Sequence, residues 1–255
     1  MSFESSAESS ETAAPLASQE PPDSAVVPWG VRDILKALAL AVLSIFVFIF
    51  LAVLATFLLG GSRTGETSTL FGLIATIAFD VTIFFIAVRF SVRKYGCSWR
   101  LLGLSRPRWN DLGVAAATVP GTYVVFIIYV VLLTSFGLRD IFPQNNLGES
   151  IFANPVTMVI AGFATVLVAP VVEETFFRGF LFAGLRKRFG FFWGATGSAL
   201  LFGLAHGSPG AFIPISSVGF LFAWLYTETG TLGSSMFAHF LWNLFVFTLA
   251  AVQGA

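Results

Sequence analysis

Asp80, Glu173, Glu174, Arg178, His206, His239 and Asn243 are polar side chains set in, or at the end of, long apolar stretches of this sequence. Placing an ionisable group in hydrocarbon costs on the order of a few kcal/mol, so such residues ordinarily have partners and tasks. Both histidines of the chain belong to this set. Were histidine merely tolerated, the loops or the polar amino-terminal stretch would carry some. Carboxylate, imidazole and amide groups together can activate a water and stabilise the oxyanion that forms when it attacks a carbonyl.

In Glu173-Glu174-Thr175-Phe176-Phe177-Arg178, Glu174 and Arg178 stand four apart with the acid nearer the amino end, the favourable order for an ion pair on a helix. Glu173 is turned about 100° away by the helical period and faces something else. A carboxylate withdrawn from water holds a proton more readily, which suits a general base near neutral pH. Pro170 lacks an N–H and is expected to open the helix just above this point. A Glu–Arg pair that only locks two helices is the plainer alternative, and it leaves the other polar residues unexplained.

His239 and Asn243 share a helix face by their spacing of four and suit an oxyanion hole. The alternative is an interhelical polar clamp worth about 1 kcal/mol. His206 ends Phe202-Gly203-Leu204-Ala205-His206; alone it reads as an interfacial residue, in combination as part of a site. At 1.5 Å per residue, Glu173, His206 and Asn243 lie roughly 20, 22 and 18 Å from the face bearing Arg186, and His239 only about 12 Å. His239 therefore needs a tilted helix or a dip of the loop at 227–231. Hydrolysis also requires water between the helices.

The elements that must hold these groups follow from composition. The 255 residues are 56% hydrophobic and 11% charged, with 30 Phe and a mean hydropathy of +0.85. A soluble fold could not hide that much apolar surface, so the chain is an all-α polytopic integral membrane protein, expected as a bundle of about seven transmembrane helices. The spans are 37–59, 68–88, 112–138 with Pro120-Gly121 as a bend, 156–185, 189–205, 211–226 and 232–252, each read against the roughly 20 residues a crossing needs. Gly207-Ser208-Pro209-Gly210 leaves an eighth crossing or a re-entrant element open. The lone Cys97 allows no internal disulfide.

Net charge is zero, but residues 1–33 carry −5 and the remainder +5. The first thirty residues are rich in Ser, Ala, Pro and Glu without apolar periodicity, so 1–33 is expected to be a disordered acidic cytoplasmic tail, with no signal-peptide pattern and no lipidation motif. Arg89, Arg93, Lys94, Arg100, Arg106 and Arg108 follow span two, and Arg186, Lys187 and Arg188 follow span four. Placing both groups, with Arg32 and Lys36, in the cytoplasm leaves only Arg63 and Arg139 opposite, which sets the amino terminus inside and the carboxyl terminus outside. The basic stretch 91–110, with Trp99 and Trp109, is either a positive-inside loop or an interfacial segment. Lying between two spans, it is not a nucleic-acid site. The bilayer and a membrane-associated peptide or protein are the expected partners.

Glu-Glu-x-x-x-Arg, then Phe-x-x-x-His, then His-x-x-x-Asn, in this order on hydrophobic helices, resembles the CPBP intramembrane proteases, which include the type II CAAX prenyl endopeptidases and the bacterial Abi proteins. Leu102-Gly103-Leu104-Ser105-Arg106-Pro107 also looks like family sequence. The resemblance implies a catalytic helix core over 154–250, preceded by transmembrane helices and a basic cytoplasmic loop over 34–153, in a multi-pass cell-membrane protease. It further implies that Glu173 activates water with help from His206, that His239 and Asn243 stabilise the oxyanion, and that Glu174, Arg178 and Phe202 support the site. No cofactor is required on this view. The family's metallopeptidase label leaves a zinc held by Glu173, His206 and His239 as the alternative, although His-Glu-x-x-His is absent. Substrates would be membrane-associated peptides, including lipidated CAAX-like ones. Two other functions remain open: a proton- or cation-coupled transporter, against which no inverted repeat is seen, and a non-catalytic membrane protein of the bacteriocin-immunity type. Asp80 has no assigned role.

Overall fold

Long runs of Leu, Ile, Val, Phe and Ala satisfy their backbone groups in lipid only as helices or closed barrels, and a computed structural model of the chain, describing residues 27–62, 65–143 and 148–254, is helical throughout its spans. In order these are α1 (Val31–Leu58), α2 (Glu66–Val88), α3 (Trp109–Ser135), the single turn α4 (Glu149–Phe152), α5 (Pro155–Gly162), α6 (Ala169–Glu174), α7 (Ala183–Ala205), α8 (Phe212–Thr229) and α9 (Leu232–Gly254). No strand occurs among the described residues. The all-α polytopic class is borne out, with six helices long and apolar enough to cross a membrane.

One of the six, Pro155–Ala205, runs for 51 residues. Straight, it would reach about 76 Å, more than twice the hydrocarbon thickness. It is broken at Gly190, whose φ of 76° and ψ of 177° no side-chain-bearing residue adopts cheaply. Beyond the break the chain doubles back. A Cβ on Gly194 would sit 2.7 Å from the Arg186 nitrogen, and Ser198 Oγ donates to the Phe177 carbonyl at 2.8 Å. Seven rods therefore arise from six helices, the fifth being the short 191–205. The eighth crossing does not occur: 207–211 is a tight link with a 3₁₀ turn at Pro209–Ala211, pressed so close to the carbonyls of Ile141 and Phe142 that a Cβ on Gly210 would meet them at 2.5 Å.

The fourth rod is not a uniform α-helix. π-helical turns occupy Phe163–Val168 and Thr175–Phe182 on either side of α6. The first lies directly before Pro170, whose ring would clash with the carbonyl four residues back in an α-helix, so the wider turn is where the expected opening occurs. The second carries Arg178, and every residue in it is buried.

Residues 1–26 of the expected tail, and Arg63, lie outside the described residues. The boundary at 33 needs correction, because Val27 and Trp29 are buried and Asp33 is too. Trp29 is a large amphipathic ring in an otherwise polar stretch, and it fills a site on the fourth rod: its Nε1 donates to the Phe180 carbonyl at 2.9 Å. Lys187 Nζ donates to the Val27 carbonyl at 2.8 Å. Asp33 accepts from Lys94 and from Tyr95 Oη, and the bond to Asp33 holds the Lys94 ammonium above the ordinary lysine range. The basic stretch is also partly drawn in. Trp99 and Trp109 are exposed, whereas Leu102 is completely buried.

Candidate active site

Two rods bring the polar groups together. The fourth, from α5 to the second π-turn, runs antiparallel to α9, and their register can be followed residue by residue. A Cβ on Gly162 would touch Phe247, and one on Gly179 would touch Leu232. Between these points Asn243 Nδ2 donates to the Thr165 carbonyl at 2.8 Å, and His239 Nδ1 lies 3.0 Å from Glu174 Oε1.

Glu174 and Arg178 form the centre. Both are completely buried, with Arg178 Nη1 2.7 Å from Glu174 Oε1. Arg178 Nη2 donates to the Gly219 carbonyl of α8 at 3.0 Å, and the guanidinium lies 4.2 Å from the Phe202 ring centre and 5.3 Å from that of Phe222. Glu174 Oε1 accepts from the guanidinium. The His239 Nδ1 facing it must then be the protonated nitrogen. That leaves Nε2 pointing toward Glu173, at 3.8 Å from its Oε2. A neutral His239 would present only a lone pair there, so it donates from Nε2 only as the imidazolium.

Glu173 differs from its neighbour. Its side chain keeps 18% exposure, and its Oε2 is buried with no hydrogen-bond partner. The 3.8 Å gap to His239 is beyond a hydrogen bond. Asp80 is buried on α2 and lies within electrostatic reach of Glu173, a placement its spacing in the sequence did not disclose. His206 caps the fifth rod; its Nδ1 bonds the Phe202 carbonyl at 2.8 Å and its ring packs on Phe202 at 4.6 Å between centres. Phe202 in turn meets His239 edge-on at 5.8 Å.

The depth expected from straight helices is reversed for α9. His239, not Asn243, is level with the acidic pair, and Asn243 is one turn away against the first π-turn. The start of α9 is fixed by the loop after α2. Thr231 Oγ1 donates to the Ser105 carbonyl at 2.7 Å and the Leu232 amide to the Gly103 carbonyl at 2.9 Å, so α9 starts where the loop after α2 enters the bundle. Gly179 permits that entry, since a Cβ there would stand 2.6 Å from the Leu102 carbonyl oxygen. Sequence reasoning missed Trp29, Gly219 and Phe222; the only signals were a tryptophan inside a polar segment and a Gly three residues before a Phe on α8.

As for zinc, Nδ1 of His239 and of His206 each bonds a protein oxygen, a pattern equally found in histidines that bind metal through Nε2, but no group of three or more His, Cys, Asp or Glu side chains among the described residues is arranged to hold a metal ion. The expected set of Glu173, His206 and His239 is not arranged as a metal site.

Residues 155–245 match the family of type II CAAX prenyl endopeptidase Rce1-like proteins. Over 98 residues the chain is 31% identical to "Putative membrane peptidase YdiL" of Bacillus subtilis (strain 168), a match covering 38% of this chain and 38% of that protein. Both findings bear out the resemblance to the CPBP family that the three motifs carry, and the family match falls on the helices that build the site. No solved structure gives a significant match.

Proposed function

We propose that the protein is an intramembrane endopeptidase in which Glu173 is the general base. The observation carrying this reading is the asymmetry of the two adjacent glutamates. Each keeps one buried oxygen without a partner, but Glu174 Oε1 is spent on Arg178 and His239 in full burial, whereas Glu173 makes no hydrogen bond, stays 18% exposed and lies 3.8 Å from an imidazole nitrogen that Glu174 orients. A water hydrogen-bonded to Glu173 beside His239 gives one proton to Glu173, and its oxygen bonds to the scissile carbonyl carbon. The carbonyl becomes an oxyanion facing the Nε2–H of His239 in its imidazolium form, with His206 and the second Asn243 N–H as assisting donors. Glu173 then passes the proton to the departing nitrogen, the C–N bond breaks, and a carboxyl and an amine result.

On this reading no metal is required. The substrates are membrane-associated peptides, lipidated CAAX-like ones among them, as the name of the matching family supports. The site opens toward the cytoplasm, the amino terminus lies inside and the carboxyl terminus outside. The test is membrane proteomics on cells carrying the wild type or Glu173→Gln. Uncut peptides accumulating only with the variant, at equal protein level, support the reading; identical peptide inventories overturn it. Chelation that stops cleavage, with rescue by Zn²⁺, would overturn the metal-free part alone.

A further inference from the structure

We propose that the cavity of about 500 Å³ lined by Arg89, Arg93 and Lys94 binds the phosphate of an anionic phospholipid headgroup. The apolar run of α2 ends at Val88, and the next five residues, Arg89–Arg93, form a π-turn. In this wider turn two arginines four apart line one opening together with the following lysine. All three are exposed. Among the described residues neither Arg89 nor Arg93 has an acidic partner, whereas Lys94 is held in place by Asp33. Two unpaired guanidiniums beside a fixed ammonium match a phosphate, which a guanidinium binds through paired N–H groups.

Headgroup rather than soluble phosphate is favoured by the site's position. It lies at the foot of a membrane span and is flanked by Tyr95, 38% exposed, and Trp99, 47% exposed. Such side chains occupy the headgroup level of a bilayer. Trp99 is anchored at that depth by stacking on Phe84 of α2, 6.4 Å between ring centres. The same cluster meets the 27–33 segment through Asp33, so the headgroup sits one residue contact from the chain that packs on the fourth rod.

The full chain is reconstituted in dioleoylphosphatidylcholine vesicles with and without dioleoylphosphatidylglycerol, and the lipids it retains are read by native mass spectrometry. The expected result is a preference for phosphatidylglycerol that falls about tenfold or more in Arg89→Gln/Arg93→Gln. It persists in Arg100→Gln/Arg106→Gln, which removes two bases of the same loop that do not line the cavity. Equal loss in both variants would reduce the effect to general loop charge and overturn the site. Inorganic phosphate adducts in neutral vesicles that depend on Arg89 and Arg93, without any lipid preference, would assign a soluble phosphate and overturn the headgroup. The readout is independent of peptidase activity.

Discussion

Adjacent glutamates of one type have opposite tasks because one turn of backbone gives them different neighbours. Glu174 neutralises a fully buried guanidinium, and breaking a buried pair leaves the survivor uncompensated at a cost of about 3–5 kcal/mol. Glu174→Gln should therefore lower the melting temperature and yield in detergent sharply. Glu173→Gln, which removes no direct hydrogen bond, should unfold at the wild-type temperature yet abolish cleavage. A thermal-shift comparison decides it, and equal losses in the two variants would contradict the division of labour. Asn243→Ala loses, besides its proposed donor to the oxyanion, the tether to Thr165, an interhelical bond worth about 1 kcal/mol; it should slow cleavage yet shift melting by a few degrees at most. The Glu174–Arg178 pair was legible in the sequence because it is local, four residues on one helix. The level of His239 was not, since it depends on where α9 begins, and that is set by Gly103 and Ser105, over a hundred residues away.

At the scale of elements, the amino-proximal segment is joined to the fourth rod at a place where the helix is weakened. A π-turn aligns its hydrogen bonds differently from the α-helix on either side, and inside it the Phe180 carbonyl receives the Trp29 indole N–H. Trp29→Phe keeps the ring contact with Phe180 and removes only the donor. It should cost about 1 kcal/mol and raise amide hydrogen exchange across 174–182 more than elsewhere; uniform exchange across the chain would show that Trp29 merely fills space. Gly179→Ala tests the other buttress, because its methyl would press on the Leu102 carbonyl oxygen at 2.6 Å. Overpacking of this kind costs about 1–3 kcal/mol. Cleavage should fall although residue 179 touches none of the reacting groups; full activity would mean that the loop yields without moving α9. The spans themselves were legible from hydropathy within a few residues, since lipid leaves a long apolar run no alternative to helix. The packing of 27–33 was not. It rests on one tryptophan and a receiving face built 150 residues later.

Across the whole molecule, function depends on which face the site opens to, and charge argues for one arrangement. The partition read from the sequence assigns eleven bases to one side and two to the other, and basic loops resist translocation. The fold respects this partition, because Gly190 sends the chain back just after Arg186-Lys187-Arg188, which keeps those three bases on the side of Arg89 and Lys94. An odd number of rods then separates the start of α1 at Val31 from the end of α9. With Cys97 replaced by Ala, single cysteines at Leu138→Cys and Val252→Cys should react with a membrane-impermeant maleimide in intact cells, and Arg100→Cys only after permeabilisation. Labelling of Val252→Cys and Arg100→Cys from the same side would require an even number of crossings. The 15-residue rod 191–205 would then be the one that fails to span, and His206 at its end would stay on the side of Arg186 instead of lying across the membrane from it.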